Sequence, residues 1–302
     1  MEVLKKMSKD LRIDENIIIN IAENNKSYKK FYIRKKGKKK KTRAIYQPSR
    51  ELKVLQYWIV ENLVKQLPVS IYSQAYENEN SIKKNAMIHR NSNHLLHIDI
   101  ENFFESINDN HIEILLRKIS GIQEKEIELI KKIVLYDNKF LVVGSVASPS
   151  IANRIMYDID MEIFEKCIKG SELKFTRYAD DIYISSKSFI KDDIVGEIDN
   201  ILREHDLHLN TKKTHFMSKK KRRKVTGIVI DNNNNSLSLG CKKYKQIRKM
   251  IYNYLVKENS EENEKMYQTI RGYLALIKDL NMEKYISIRE SYEKYDKKSL
   301  LF

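Results

Sequence analysis

The sequence predicts an α+β protein, and three observations carry that prediction. Apolar residues make up 41% of the 302 residues, enough to bury a core. Apolar positions recur at helical spacing toward both ends of the chain, while the middle holds short alternating runs bounded by turns. Only 8 Gly and 3 Pro are present, which excludes collagen-like, low-complexity and turn-dense β architectures.

In chain order, residues 1–30 read as short helices, with Ile17, Ile18 and Ile21 as an apolar face. FYIRKK, a basic turn containing Gly37, and KTRAIYQ read as a β-hairpin over 31–47. Pro48-Ser49 opens a helix through Leu52, Leu55, Gln56, Ile59 and Leu63. Residues 94–100, HLLHIDI, alternate as a strand, with Leu96, Ile98 and Ile100 on one face and Leu95, His97 and Asp99 on the other. Residues 111–136 follow a helical pattern. Ser148 as N-cap and Pro149 at the first position start a helix through Ile151, Ile155, Ile159 and Ile163 that ends near Gly170. Residues 173–186 make two strands around a tight turn at Ala179-Asp180-Asp181. VTGIVI reads as a strand, Asn232 to Asn235 as a turn, and 241 onward as helices through Tyr244, Ile247 and Ile251, then Ile270, Tyr273 and Ile277. No internal repeat is visible, and no Pro-, Gly- or Ser-rich linker marks off independent domains.

The charge balance narrows the class of partner. Lys and Arg number 57 against 41 Asp and Glu, a net charge of +16. Arg34 to Arg43 holds eight basic residues in ten, Lys219 to Lys224 is basic throughout, and Cys241 to Lys249 interleaves Lys and Arg with Tyr244. Such clusters bind phosphate by releasing counterions, so nucleic acid is the expected partner. None resembles an amphipathic membrane-surface helix. No apolar run approaches the ~20 residues needed to span a bilayer, and the first 15 residues lack the apolar core of a secretory signal. Cys167 and Cys241 make neither a disulfide framework nor a zinc site by themselves. The expected location is the cytoplasm, with no membrane partner.

Three carboxylates carry chemistry. Adjacent acids in a turn, such as Asp180 and Asp181, are ordinarily turn residues. Asp99, however, ends a mostly apolar strand, where an acid is costly without a partner. If both sites meet at one sheet edge, the carboxylates repel and need a cation, for which oxygen-ligated Mg²⁺ is the natural choice. In a basic protein that combination suggests two-metal nucleotidyl transfer.

Several segments, in this order, resemble a known family. Asp99 in HIDIENFF, GSVASPSIAN over 144–153, Tyr178-Ala179-Asp180-Asp181, and NTKKT over 210–214 resemble palm motifs A, B, C and D of reverse transcriptases. Asn85-Ala86-Met87-Ile88-His89 is similar to the NAxxH signature of the retron (bacterial, msDNA-synthesising) reverse transcriptases, and Val225-Thr226-Gly227 to their VTG signature. Arg43 to Trp58 resembles the family's fingers.

The resemblance implies a right-hand polymerase: N-terminal helices and fingers over 1–93, an antiparallel-sheet palm over 94–235 with fingers/palm helices at 108–170, and a helical thumb over 236–302. It implies an RNA-directed DNA polymerase that copies part of a cognate structured non-coding RNA (msr-msd) from a 2′-hydroxyl primer into branched RNA–DNA, msDNA. It further implies a bacterial anti-phage system with a separately encoded effector, whether nuclease, ATPase or toxin. Asp99, Asp180 and Asp181 are the implied catalytic residues, holding two Mg²⁺ (or Mn²⁺) with the carbonyl of Ile100. Arg43, Phe104, Gly144 and Lys213 are expected around the dNTP: Arg43 on the triphosphate, Phe104 as a steric gate unless it is core, Gly144 as a close backbone approach to nucleotide or template, and Lys213 near the pyrophosphate. Asn85, His89, Val225, Thr226, Gly227, Lys242, Lys243 and Arg248 are expected at the RNA, with bracing of the fingers as the alternative for Asn85 and His89 and sheet core for the VTG segment. Two departures stand out. Val142-Val143-Gly144 replaces the Pro-Gln-Gly of many relatives, and Ala75-Tyr76 replaces their Gly-Phe. The first leaves open an RNA-binding scaffold with little turnover, and an untemplated polymerase is a further alternative.

Overall fold

The computed structural model describes residues 2–24, 27–34, 42–256 and 262–295. Most of the Arg34–Arg43 basic run, Gly37 included, lies outside them. In chain order the helices and strands are α1 (Glu2–Leu11), α2 (Glu15–Glu23), β1 (Tyr28–Arg34), β2 (Thr42–Pro48), α3 (Arg50–Asn62), α4 (Ile82–His89), β3 (His94–Asp99), α5 (Phe103–Ser106), α6 (Asp109–Leu116), α7 (Glu124–Val134), α8 (Ser148–Ile163), β4 (Lys174–Tyr178), β5 (Asp181–Ser186), α9 (Asp193–Glu204), β6 (His215–Ser218), β7 (Arg223–Val225), β8 (Ile228–Ile230), β9 (Leu237–Ser238), α10 (Cys241–Val256), α11 (Glu262–Leu280) and α12 (Met282–Tyr292). β1 and β2 form an antiparallel hairpin. A four-stranded sheet has the order β4-β5-β3-β6, and β7-β8-β9 is a small antiparallel sheet.

Local chemistry sets most boundaries. The side chains of Asp14, Ser49, Ser81, Asn108 and Asn281 each accept a backbone N–H in the first turn of the helix that follows. The helical pattern over 111–136 is two helices, not one: α6 ends at Leu116 and α7 starts at Glu124. Between them Gly121 sits at φ +78°, which a side chain disfavours. Ser148 is the first helical residue rather than the cap, which is Ala147. The α8 helix runs on into a single π turn, Phe164–Ile168. VTGIVI is not one strand. Thr226 (φ +44°) and Gly227 (φ +92°) turn the chain between β7 and β8. Of the expected N-terminal apolar face, Ile18 is buried while Ile17 is exposed.

The chain divides into two compact units. One comprises Met1–Glu79, His97–Ile182 and Lys191–His215. In it α2 packs on α1, α3 and α7, and α8 packs on α6 and α9. Leu55, Ile59, Ile130, Ile133, Ile151 and Ile159 are among its buried side chains. The other comprises Asn80–Leu96, Tyr183–Ile190 and Phe216–Phe302. In it α4 lies against β7, β8 and β9, α11 packs on α10 and α12, and Ala86, Val225, Ile247, Ile270 and Ile277 share one core.

Candidate active site

The first unit brings Asp99 beside the Asp180 turn. Asp99 is the last residue of β3, and Ala179 at φ +57° turns the chain so that Asp180 and Asp181 lead into β5. The Ile100 N–H donates to the Asp180 carbonyl at 2.9 Å, and the Asn210 N–H donates to the Asp99 carbonyl at 2.7 Å. Backbone hydrogen bonds thus fix the three chain segments to one another.

Each carboxylate has a different environment. The Lys213 ammonium reaches both oxygens of the buried Asp99 at 2.6 Å. The His97 imidazole lies 2.6 Å from Asp181 through Nε2 and Oδ1. Burial first, then the Asp181 charge and more weakly that of Asp99, push the Asp180 carboxyl up to about 6. Among the described residues, the one trio of acidic groups with oxygens within 4.8 Å of one another is the peripheral Glu113, Glu124 and Glu128, so the Asp99, Asp180 and Asp181 carboxylates are spread more widely than that. Two of them have basic partners of their own, Lys213 at Asp99 and His97 at Asp181. The donor set nonetheless fits a hard divalent cation: the carboxylate oxygens of Asp99, Asp180 and Asp181 and the Ile100 carbonyl.

Beside these acids opens a cleft of about 510 Å³, lined by Arg43, Tyr76, Ile100, Phe103, Phe104, Val143, Asp180, Asn210 and Lys213 among others. Ligand sites commonly fall in this size range. Phe103 is core at 5% exposure, whereas Phe104 is half-buried. Arg43, Phe104 and Lys213 therefore share one cleft, and Gly144 is not among its lining residues. A Cβ on Gly144 would meet the Tyr46 carbonyl oxygen at 2.6 Å, and its φ is +109°. The backbone that lies where a Gly144 side chain would stand is that of β2. Tyr76, which also has positive φ, lines the cleft with its phenol pushed up to about 12, mainly by burial and then by the Asp180 charge.

A buried polar network under the Asp180 turn escaped the sequence reading. Arg177 and Asp160 are both fully buried, with Nε and Nη2 donating to the two Asp160 oxygens at 2.8 and 2.9 Å. Arg177 also donates to Asn153 Oδ1 and to the Ala179 carbonyl. Asn153 in turn accepts from Ser73 and donates to the Ala75 carbonyl and Glu77. The only signal was a pair of polar residues on the apolar face of α8.

The residues expected at RNA lie in the second unit and fall into two groups. Asn85, His89 and Val225 are buried at 0, 1 and 0% exposure. His89 Nδ1 lies 2.7 Å from Ser185 Oγ. All three side chains are packed inside the unit, with His89 against Ser185 and Val225 in the core beside Ala86. Thr226 and Gly227 form a hairpin tip, with the Thr226 N–H donating to the Tyr183 hydroxyl at 2.9 Å. Lys242 and Arg248 line a concavity of about 680 Å³ together with Arg222, Lys245 and Lys284. Lys243 is turned away from it, donating to the Tyr273 hydroxyl at 2.6 Å. Tyr244 is buried.

Residues 33–230 match the family model described as reverse transcriptase (RNA-dependent DNA polymerase). The chain is 34% identical to the retron Ec86 reverse transcriptase of Escherichia coli, over 99% of this chain and 91% of that one. It is 29% identical to the Escherichia coli retron Ec83 reverse transcriptase, over 70% and 71%. Apo telomerase from Candida tropicalis shares the fold at TM-score 0.51 and 11% identity, covering 87% of this chain and 59% of that chain. No helix among the described residues is long and apolar enough to cross a membrane. The chain belongs to the reverse transcriptase family, within it to the retron reverse transcriptases, and is an RNA-directed DNA polymerase.

Proposed function

We propose that this polymerase copies part of a structured non-coding RNA, using an RNA 2′-hydroxyl as first primer, and so makes branched RNA–DNA for a bacterial anti-phage system with a separately encoded effector. One observation carries the catalytic part: Asp99 hydrogen-bonded through its neighbours to the Asp180 turn, at the edge of a cleft holding Arg43, Phe104 and Lys213. Asp99, Asp180, Asp181 and the Ile100 carbonyl would hold divalent metal. Bound there, Mg²⁺ would lower the pKa of the attacking hydroxyl and stabilise charge at the transferring phosphate. Arg43 would pair with the triphosphate as a bidentate donor. Lys213, released from Asp99, would be within the cleft to meet the leaving pyrophosphate. Phe104 would crowd a ribose 2′-hydroxyl and so favour dNTPs. Fingers, palm and thumb would follow 1–93, 94–235 and 236–302. The cationic concavity at Arg222, Lys242, Lys245, Arg248 and Lys284 would hold RNA phosphates, mainly by charge.

The test is synthesis by the chain purified with its own RNA. Asp180→Asn with Asp181→Asn should abolish Mg²⁺-dependent dNTP incorporation while RNA binding survives. Synthesis by that double variant would remove the metal assignment, and a product without a nuclease-resistant branch would remove the 2′-primed reading.

A further inference from the structure

We propose that His97 is a positioning residue for the Asp181 carboxylate, holding it ready for a divalent cation. The inference rests on Asp181 being a metal ligand. Strand alternation puts His97 on the same face of β3 as Asp99, one pleat earlier. The neighbouring strand, β5, begins with Asp181. The His97 side chain is 13% exposed and its Nε2 sits 2.6 Å from Asp181 Oδ1. Its ring packs edge-on against His215 of β6, with centroids 5.1 Å apart and planes at 72°, which fixes the plane of the imidazole.

The two basic partners of the site differ in a way that matters. Lys213 bridges both oxygens of Asp99, so a cation on either oxygen meets the ammonium charge beside it. His97 engages Asp181 through Oδ1, so it can stay while Oδ2 serves as donor. An Asp held at one oxygen has less rotamer freedom to lose on binding. Partners that orient a ligating group in this way typically contribute 10–100-fold in metal affinity. The site therefore has one partner set against both oxygens of its carboxylate and one set against a single oxygen.

The experiment uses the full chain with its RNA. Mn²⁺ binding is titrated by the loss of the free-ion EPR signal, beside the Mg²⁺ dependence of dNTP incorporation. His97→Phe should weaken Mn²⁺ binding and raise the half-saturating Mg²⁺ concentration by roughly tenfold, with the rate at saturating Mg²⁺ within about twofold of the parent. His97→Gln, which keeps an N–H donor at similar reach, should recover most of the loss. If His97→Phe does not melt cooperatively, His97→Asn, too short to reach Oδ1, should show the same loss. Parental Mn²⁺ affinity in His97→Phe or His97→Asn, or a His97→Gln variant as weak as they are, overturns the proposal. Asp181→Asn separates the two failures. If Asp181→Asn binds Mn²⁺ weakly and His97→Phe binds it normally, the positioning role is wrong. If Asp181→Asn binds normally, the ligand reading is wrong as well.

Discussion

Removing Asp160 should be among the most damaging single changes outside the cleft. Asp160 and Arg177 are both fully buried, and the guanidinium spends two of its hydrogen bonds on the Asp160 oxygens at 2.8 and 2.9 Å. Asp160→Ala leaves a buried positive charge facing only neutral acceptors, Asn153 Oδ1 and the Ala179 carbonyl. Breaking a buried ion pair from one side typically costs about 3–5 kcal/mol. At roughly 2–4 °C per kcal/mol for a chain of this size, the melting temperature should fall by about 6–20 °C. The paired replacement Asp160→Leu with Arg177→Met should regain most of that loss, because no charge is then stranded. Differential scanning calorimetry of the parent, Asp160→Leu, Arg177→Met and the double closes the cycle, with Asp160→Ala measured beside them. A loss under about 1 kcal/mol for Asp160→Ala, or a double as unstable as the sum of its singles, would refute the argument. Because Arg177 also holds the Ala179 carbonyl, incorporation by Asp160→Ala should be depressed even at temperatures where it remains folded.

Gly144→Ala should cost about 2–4 kcal/mol in urea denaturation, from a positive φ combined with a 2.6 Å approach to the Tyr46 carbonyl. A cost under about 1 kcal/mol would show that the loop yields freely. Phe104→Ala should raise ribonucleotide use relative to dNTPs by about tenfold or more in a competition assay, and unchanged selectivity would remove the gate role. The Asp180 carboxyl, at about 6 against an ordinary 3.8, binds its proton more tightly folded than unfolded. Its contribution to the stability of the metal-free chain is therefore present below pH 3.8 and lost as pH rises through about 6. Mn²⁺ must displace that proton, so affinity should fall about tenfold per pH unit below the carboxyl's pKa. A flat affinity between pH 5 and 7, measured by EPR titration, would contradict the assignment.

Much of this site could be read from the chain because its acids interrupt patterns. Asp99 breaks an apolar alternation, and Asp180 with Asp181 marks a turn between two apolar strands. The burial of Leu96, Ile98 and Ile100 matches the alternation, although Leu95 on the other face is buried too. What the chain hides is pairing across distance. Arg177 and Asp160 lie 17 positions apart and Arg177 reaches Asn153 across 24, and nothing in either local pattern names the other. Gly144 was recognisable as a residue with a neighbour too close for a side chain, but sequence alone does not say whose backbone that neighbour is. Asn85 and His89 stood out by resemblance, yet a short signature does not distinguish a side chain that touches RNA from one that supports the surface beneath it. The break between α6 and α7 was signalled by Gly121, and the apolar periodicity on either side concealed it.

The contact between β2 and the loop at Val143-Gly144 has a mechanical consequence. The Tyr46 N–H is bonded to the Val143 carbonyl at 2.8 Å, and the Tyr46 carbonyl fills the space where a Gly144 side chain would lie. Arg43 stands three residues before Tyr46 on that strand, and both Arg43 and Val143 line the cleft. The arm that would grip a triphosphate and the floor beneath it are therefore geared together. Displacing one tugs the other, so a substitution in either should be felt as slack in both.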